Sequence, residues 1–292
     1  HNIGADTYRI YKLHTFRRRI KENSGKFIMK IGIIGMGVVG SANSAGFTLL
    51  QHQVITHDTK FDTKISDVLD TEIVFVCVPT PNLEDDCDTE IVEQVIDDLN
   101  NLAYKGIVCI RSTVNVGFTE AMIETYPNMR VCFAPEFLRE RCAADDFINN
   151  QELLAVGTND PYVYKKIVES HGHLPKNTKQ LSPTEAEILK YYNNTYAALR
   201  IVFANIFYEV AEQFDCDYSK IKDAYVATGK TNDLYLDVNA QLRGYSGVCL
   251  PKDVKAFNTM LRNLDLPFGL IHYIDRDNMQ FNQTVFNGMR DA

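Results

Sequence analysis

A cysteine in a glycine-rich segment is the residue of this chain best suited to covalent chemistry. Residues 244–253 have the sequence GYSGVCLPKD, and the pattern after Pro251 indicates a helix, so Cys249 lies just before a helix N-terminus. The helix N-terminus and the charge of Lys252 both favour a thiolate, so the pKa of Cys249 could be lowered. Asp253 could hold a water molecule or polarise a neighbouring group. From the residues alone, a buried and unreactive cysteine fits this pattern equally well.

Two further polar residues lie one helical turn apart in the middle of the chain. Residues 182–185 have the sequence SPTE, a capping box with proline at the first helical position, and predict a helix that runs to about residue 214. On that helix Lys190 and Asn194 are at positions i and i+4, so an ammonium and a carboxamide would share one face. Together they would offer two donors to an oxyanion, and a solvated polar face is the alternative.

A glycine-rich turn predicts a dinucleotide site. Residues 35–40 have the sequence GMGVVG and lie between an apolar, strand-like run and a stretch with helical periodicity. In this GxGxxG pattern the first glycine permits a tight turn, the second lets a pyrophosphate approach the backbone, and the third lets helix and strand pack closely. The N–H groups at the start of the helix would then hold the phosphates.

Asp58 lies about 20 residues beyond this turn, at the end of the next predicted strand. Its carboxylate would bind the ribose 2′-hydroxyl and repel a 2′-phosphate, which favours NAD over NADP. The residues expected to contact the cofactor in this region are Gly35, Met36, Gly37, Val38, Val39, Gly40 and Asp58.

Three polar loops follow predicted strands at the edge where parallel sheets bind ligands. They have the sequences PTP at residues 79–81, RSTV at 111–114 and APEFLRE at 134–140. Turn chemistry explains each loop alone, but their convergence on one edge favours a site. Glu136 and Glu140 are four residues apart and would share a face on a helical turn.

The elements that position these residues can be predicted from hydrophobic periodicity. Apolar runs rich in β-branched residues cover residues 30–34, 54–57, 73–78, 107–111, 130–134 and 153–156, with helical patterns such as 38–50 and 89–102 between them. Near-continuous hydrophobicity is typical of parallel strands that are buried on both faces. We therefore predict an α/β fold with a doubly wound parallel Rossmann sheet.

After about residue 180 the pattern becomes all-helical, with further helical stretches at 218–228 and after residue 251. The long predicted helix has an apolar stripe at Ile188, Tyr192, Leu199, Phe203, Ile206 and Val210. We expect it to be a spine between two domains or two subunits, and expect a homodimer. The predicted domains are an NAD-binding Rossmann domain at residues 29–180 and a helical dimerisation and catalytic domain at residues 181–292. Residues 1–28, with seven basic and two acidic residues, would be an extension outside the fold, or alternatively a targeting peptide.

Composition and charge exclude several classes of protein. The chain has 45% hydrophobic and 23% charged residues, which is typical of a globular protein and not of a disordered, collagen-like or coiled-coil one. Its formal net charge of −8 argues against nucleic-acid binding, and its longest apolar runs are far too short to cross a membrane. The seven cysteines include no CxxC pair, so no metal site is expected, and their odd number favours a reducing, cytoplasmic location.

Six motifs resemble, in order, those of the UDP-glucose 6-dehydrogenase family, within the wider UDP-glucose/GDP-mannose dehydrogenase group. They are GMGVVG, VPTP, RSTV, APEFLRE, EAEILKYYNNTYAALR and GYSGVCLPKD, spread over residues 29–255. The resemblance implies that NAD is the cofactor and that a nucleotide sugar is the substrate. It also implies that the C6 alcohol of the sugar is oxidised to a carboxylate, with one NAD used in each of two steps.

The resemblance implies a role for each matching residue. Cys249 resembles the nucleophile that holds the aldehyde stage as a thiohemiacetal and then a thioester. Lys190 and Asn194 resemble the oxyanion-stabilising pair, and Asp253 resembles the aspartate that supports them and the catalytic water. The remaining implied contacts are Thr113, Glu136 and Glu140 around the reacting carbon, and Thr80, Thr113 and Lys252 at the cofactor.

The chain departs from the family pattern in three respects. Ser246 replaces a glycine of the loop before the cysteine, and the stretch KTNDLYL at residues 230–236 does not show the arginine that meets the substrate. Only 43 residues follow Cys249, too few for the family's third, UDP-binding domain, so we expect normal NAD binding but poor oxidation of UDP-glucose. Alternatives are a GDP-mannose or UDP-N-acetyl-mannosamine dehydrogenase, or a non-catalytic NAD-binding dimerisation fragment.

Overall fold

A computed structural model describes residues 28–281, in which strands alternate with helices as far as residue 181 and helices follow. The strands are β1 (Lys30–Ile34), β2 (Gln53–His57), β3 (Ile73–Val76), β4 (Asn82–Leu83), β5 (Asp86–Cys87), β6 (Ile107–Ile110), β7 (Arg130–Phe133), β8 (Leu153–Gly157) and β9 (Asn177–Leu181). The helices are α1 (Val38–Leu49), α2 (Glu90–Asn101), α3 (Phe118–Thr125), α4 (Ala143–Asn149), α5 (Pro161–His171), α6 (Pro183–Gln213), α7 (Tyr218–Val226), α8 (Leu250–Asn263) and α9 (Leu270–Asn278). The extension expected at residues 1–28 lies, apart from Ile28, outside the described residues.

Seven of these strands form one sheet in the order β2-β1-β3-β6-β7-β8-β9. The first five pair in parallel, which confirms the predicted doubly wound Rossmann arrangement. The prediction of a parallel sheet is wrong at one junction, because β8 pairs antiparallel with β7 and β9 then runs parallel to β8. The sequence does not predict β9, whose residues NTKQL are mostly polar and lie partly exposed at the sheet edge. It does not predict the short β4–β5 hairpin either.

The sheet is buried on both faces, as its hydrophobic strands predict. Alternate side chains of each strand point to opposite sides, so Ile33 and Phe75 enter one apolar cluster while Ile34 and Val76 enter the other. The first cluster contains Phe47 of α1 and Phe147 of α4; the second contains Ile96 of α2. This packing fixes the carboxyl ends of the strands, and the loops that follow them, at one edge.

Helix α6 begins where the sequence predicts it. Ser182 accepts a hydrogen bond from the backbone of Glu185 at 3.2 Å, and Glu185 accepts one from the backbone of Ser182 at 2.8 Å, so the predicted capping box is formed. Five of the six residues of its apolar stripe are exposed, while the buried face carries small and polar side chains. Within residues 28–281, no helix is long and apolar enough to span a membrane.

His171, at the end of α5, is fully buried in the first apolar cluster. Its ring centroid lies 5.1 Å from that of Phe47 and 5.7 Å from that of Phe75. Its Nδ1 is 2.9 Å from the carbonyl oxygen of Ile167, and its Nε2 has no hydrogen-bond partner in the described part of the chain. Burial, assisted by the charge of Arg111, lowers the pKa of His171 to about 3, so the ring stays neutral in the folded protein.

We expect His171 to make stability depend on pH between about 6.5 and 3. In this window the unfolded chain binds a proton that the folded chain does not, so stability falls as pH falls, by up to about 1.4 kcal/mol per pH unit from this group. Urea unfolding at a series of pH values would measure it. The matched variant His171→Phe lacks the imidazole but keeps every carboxylate of the protein. The free energy of unfolding of the wild type should therefore fall more steeply than that of the variant as the pH is lowered. Parallel plots of the free energy of unfolding against pH would contradict the prediction.

Candidate active site

The glycine-rich turn between β1 and α1 leaves room where a pyrophosphate would lie. Gly35 has φ of +90°, and a Cβ added there would meet the carbonyl oxygen of Cys77 at 2.6 Å. A Cβ on Gly40 would lie 1.9 Å from the carbonyl oxygen of Gly35, whereas one on Gly37 would meet nothing within 4 Å. In the described part of the chain no side chain caps the start of α1, so its first N–H groups are open to an anion. These residues fit the phosphates of NAD.

Asp58 lies beside this turn at the end of β2. Its Oδ2 accepts a hydrogen bond from the backbone N–H of Met36 at 2.7 Å, and its Oδ1 accepts one from the backbone N–H of Lys60 at 2.9 Å. These two bonds, the first above all, lower the pKa of Asp58, so the group is a carboxylate at neutral pH. Asp58 therefore fixes the glycine-rich turn as well as providing the charge expected to select NAD.

Lys190 of α6 and Glu136, from the loop after β7, form a buried ion pair. The Lys190 Nζ donates to the Glu136 Oε1 and to its carbonyl oxygen, both at 2.7 Å, and Glu136 Oε2 accepts the N–H of Leu138 at 2.8 Å. Burial acts against both charges, but the pairing outweighs it: the pKa of Glu136 is lowered and that of Lys190 is raised. The alternative of a solvated face is wrong, because Lys190 is only 3% exposed and Asn194 only 5%.

Asn194 connects α6 to the start of α8. Its Nδ2 donates to Oδ2 of the fully buried Asp253 at 2.6 Å. The Lys252 Nζ lies 2.7 Å from the other carboxylate oxygen, close enough for an ion pair but outside hydrogen-bond geometry, so both atoms lack a hydrogen bond to any described residue. Asn82 donates to the carbonyl oxygen of Lys252 at 3.2 Å, and its Oδ1 is also buried, with no partner among residues 28–281. Several buried polar atoms here are thus available to a ligand.

Cys249 is the residue directly before α8 and is partly buried. Burial raises the pKa of its thiol to about 11; Lys190 and Lys252 lower it, while Glu136 and Asp253 raise it. The expectation of a lowered pKa is wrong because the negative charges and burial outweigh the two lysines. The thiol is therefore protonated at neutral pH, within reach of the charges of both buried pairs.

Two asparagines hold the loop that precedes Cys249. Asn205 accepts the N–H of Gly244 at 3.2 Å, and Asn278 both accepts the N–H of Tyr245 at 2.7 Å and donates to its carbonyl oxygen at 2.9 Å. The hydroxyl of Ser246 is buried with no hydrogen-bond partner among the described residues. Asn205 and Asn278 are distant in sequence, and no local pattern indicates their role.

The β4–β5 hairpin brings Thr80 and Thr113 to the same region. Both are buried, and the Cys87 thiol donates to the carbonyl oxygen of Thr113 at 3.3 Å and also bonds to the Thr80 side chain. The charges of Lys252 and Asp253 act on the pKa of Cys87, which burial raises, so the hairpin lies beside the N-terminus of α8. Sequence analysis does not identify Cys87 as part of this region.

The spacing predicts that Glu136 and Glu140 share a helical face, and this prediction is wrong. The segment from Glu136 to Arg139 is not helical, and Glu140 only begins a short 3₁₀ turn. Arg139 instead pairs with Asp146 at 2.6 Å, and within residues 28–281 no cation pairs with Glu140. Its catalytic role stays a prediction.

Tyr235 is a residue of this region that sequence analysis misses. It belongs to the stretch that departs from the family pattern and has a φ of +64°. Burial raises the pKa of its phenol, and the charges of Arg139, Asp146 and Lys190 act on it, so it lies near the ion pair.

Two models of one protein family match the chain. The UDP-glucose/GDP-mannose dehydrogenase family, NAD binding domain, matches residues 57–173. The central domain of the same family matches residues 184–280. Together the two matches cover more than half of the chain.

Several curated relatives are identical to this chain at about a quarter of the aligned positions. The UDP-glucose 6-dehydrogenase of Campylobacter jejuni is 27% identical over 86% of this chain and 72% of its own length, and that of Haloferax volcanii is 27% identical over 78% and 64%. The GDP-mannose 6-dehydrogenase of Azotobacter vinelandii is 26% identical over 88% of this chain and 62% of its own length. The chain thus spans about two thirds of the length of these relatives.

Solved structures share the fold. A UDP-glucose dehydrogenase from the hyperthermophilic archaeon Pyrobaculum islandicum has a TM-score of 0.80 and 23% identity, over 88% of this chain and 69% of that one. The UDP-D-ManNAc dehydrogenase from Pyrococcus horikoshii has a TM-score of 0.71 and 20% identity, over 86% and 68%.

We expect removal of the lysine from the buried pair to destabilise the protein. Lys190→Met leaves Glu136 buried without its main partner, which should lower the free energy of unfolding by about 3 kcal/mol. Glu136→Gln in addition should restore much of the loss, because the uncompensated charge is gone. Urea unfolding would measure both, with Lys176→Met as control, since its exposed pair with Glu152 should contribute less than about 1 kcal/mol. A single variant as stable as the double one would contradict the prediction.

We expect the charge of Asp58 to set the preference for NAD. Asp58→Asn keeps an acceptor for the Met36 N–H but removes the charge, and should narrow the lead of NAD over NADP by about tenfold, or ~1.4 kcal/mol. Asp58→Ala also loses the bond to the turn and should bind NAD more weakly than the asparagine variant. Calorimetry with both dinucleotides tests this, and equal affinity of the wild type for NAD and NADP would refute it.

Proposed function

Because this chain belongs to the UDP-glucose/GDP-mannose dehydrogenase family, we propose that it oxidises the C6 alcohol of a nucleotide sugar to a carboxylate. NAD is the cofactor, and it accepts a hydride in each oxidation. UDP-glucose is the first candidate substrate, since UDP-glucose 6-dehydrogenases are among the curated relatives. The observation that carries the proposal is that two buried donor side chains, Lys190 and Asn194, lie on one helix face, and that the charge of Lys190 acts on the Cys249 thiol.

Both donors keep an N–H for the substrate. An ammonium has three N–H groups, and Lys190 uses two of them on Glu136. A carboxamide has two, and Asn194 uses one on Asp253. The one remaining N–H of each side chain would stabilise negative charge on the substrate oxygen. Each of these two donors would lower the free energy of the transition state by roughly 2.7–4 kcal/mol.

The protonated state of Cys249 defines how it adds to the aldehyde formed in the first oxidation. The sulfur bonds to the carbonyl carbon, and the π electrons of the C=O bond move to the oxygen, whose negative charge Lys190 and Asn194 would stabilise. The thiol proton passes to that oxygen, which gives a thiohemiacetal. Transfer of a second hydride from this carbon to bound NAD, with release of the hydroxyl proton to water, would give a thioester. Water then attacks the thioester carbon, the C–S bond breaks, and the carboxylate and the thiol are released.

Asp253 is suited to the hydrolytic step. One of its oxygens holds the Asn194 amide at 2.6 Å, and the other, Oδ1, is buried without a hydrogen bond to the described residues. That oxygen is available to orient a water molecule and accept its proton. The Lys252 Nζ lies 2.7 Å from this oxygen, so the water would bind beside a cation.

We also propose that two copies associate through the outer face of α6. Five large apolar side chains are exposed on this face, including Tyr192 at 69% and Phe203 at 52%. Phe203 also packs against Phe207, which is exposed too, with ring centroids 4.7 Å apart, so the two rings form an apolar patch on the helix. A second copy would bury it, as contiguous exposed apolar patches favour.

NADH formation from a panel of nucleotide sugars tests the function. UDP-glucose, GDP-mannose and UDP-N-acetylmannosamine are offered separately to the protein with NAD, and the absorbance of NADH is followed. We expect oxidation of one of them, with UDP-glucose first, and the carboxylate as product, at the low rate expected of a chain with only 43 residues after Cys249. No NADH from any of the three, in a sample that binds NAD, would refute the proposed activity.

We expect Cys249→Ser to stop the reaction between the two oxidations. A serine hydroxyl is a weaker nucleophile than a thiol, and its alkoxide is a poorer leaving group than a thiolate. The variant should therefore release about half of the wild-type NADH per sugar, because it stops at the aldehyde, or complete the second oxidation and retain an ester adduct. Stoichiometry and intact mass after incubation measure both. Cys216→Ser, at an exposed cysteine, is the matched control and should behave like the wild type. A Cys249→Ser variant with wild-type stoichiometry and rate would exclude Cys249 as the nucleophile.

A further inference from the structure

Glu187 is a buried carboxylate of α6 whose partners are backbone groups. It lies three residues before Lys190 and is fully buried. Its Oε2 accepts the N–H of Gly117 at 2.6 Å, and its Oε1 accepts the N–H of Thr119 at 2.8 Å. Gly117 precedes α3, has a φ of +92° and has no side chain that could cap the helix. A carboxylate from a distant helix thus caps α3.

A second contact from the same face of α6 holds the chain just before α3. Tyr191, one turn after Glu187, is 1% exposed and donates from its hydroxyl to the carbonyl oxygen of Val114 at 3.1 Å. On its other side this segment bonds to the β4–β5 hairpin, because Asn115 donates to the carbonyl oxygen of Cys87 at 3.0 Å. Residues 113–119 therefore lie between α6 and the hairpin, with polar bonds to both.

We propose that Glu187 is a positioning residue: it fixes residues 113–119, and with them Thr113, against the helix that carries Lys190. The inference rests on the proposed function, in which Lys190 contacts the reacting groups, and on the resemblance, which implies that Thr113 lies near the reacting carbon and the cofactor. Both bonds of Glu187 end on main-chain N–H groups, so they set the backbone of this loop and not a single side chain. Without them the N–H of the partly buried Gly117 would lose its carboxylate partner and that of the buried Thr119 would be left without one, so the segment would move to reach water.

Glu187→Gln tests this with little change of volume. The carboxamide keeps one acceptor oxygen but turns an NH₂ group towards the other backbone N–H, so one bond is lost and two donors face each other. Glu187→Ala removes both bonds. Glu185→Gln is the matched control, because Glu185 lies on the same helix at an exposed position, and glutamine can replace glutamate in a capping box.

Three measurements are made on the full chain, well below the unfolding temperature of each variant. Amide hydrogen exchange at Gly117 and Thr119 should become at least tenfold faster in Glu187→Gln and stay unchanged in Glu185→Gln. The kcat for the nucleotide sugar should fall at least tenfold in Glu187→Gln, while its KM changes less than threefold. NAD affinity, measured by calorimetry, should fall several-fold because Thr113 is an expected cofactor contact.

A role in stability alone would lower the unfolding temperature and leave kcat unchanged in the folded protein, and this would overturn the proposal. Unchanged exchange at Gly117 and Thr119 would overturn it as well. If the wild type oxidises no nucleotide sugar, the proposed function fails, and exchange together with NAD affinity still decides the role of Glu187. Faster exchange with weaker NAD binding supports it, and wild-type values of either refute it. If Glu187→Ala does not fold, the glutamine variant carries the comparison.

Discussion

A lysine ammonium that is buried in a protein needs a nearby negative charge, because moving an unpaired charge out of water costs on the order of several kcal/mol. Lys190 meets this requirement through Glu136, and the pair connects α6 to the loop after β7. Asn194 makes the corresponding bond to α8 through Asp253. The polar residues on the buried face of one helix thus hold segments that are far apart in sequence. The geometry of the candidate site depends on these bonds more than on any single loop.

Local patterns predict much of this arrangement. The glycine-rich turn, the first six sheet strands and the capping box of α6 are short-range features, and each is found where the sequence places it, to within two residues at the strand ends. The spacing of Lys190 and Asn194 correctly puts them on one face. It does not reveal that this face is buried, since the apolar stripe of α6 points outwards. Periodicity reports which residues share a side of a helix and not which side meets the core.

Several of the features that the sequence does not predict depend on long-range contacts. The pKa of Cys249 follows from burial and from Glu136 and Asp253, which nearby residues alone do not indicate. Residue spacing gives no indication that Asn205 and Asn278 hold the loop before Cys249. Strand β9 is not predicted from hydrophobic periodicity, because a strand at the edge of a sheet can be polar and partly exposed. Glu140 is placed wrongly because spacing of four residues has meaning only where the backbone is helical.

The three glycines of the turn after β1 differ in what would exclude another residue. At Gly35 and Gly40 an added Cβ would collide with the protein's own backbone, so the packing of β1, β3 and α1 excludes a side chain whether or not a dinucleotide binds. At Gly37 the space is open, so only a ligand would fill it. A lineage that gave up the cofactor could therefore accumulate substitutions at position 37 while positions 35 and 40 remained glycine. Neutral drift at this one position would record the loss of binding in a fold that is otherwise intact.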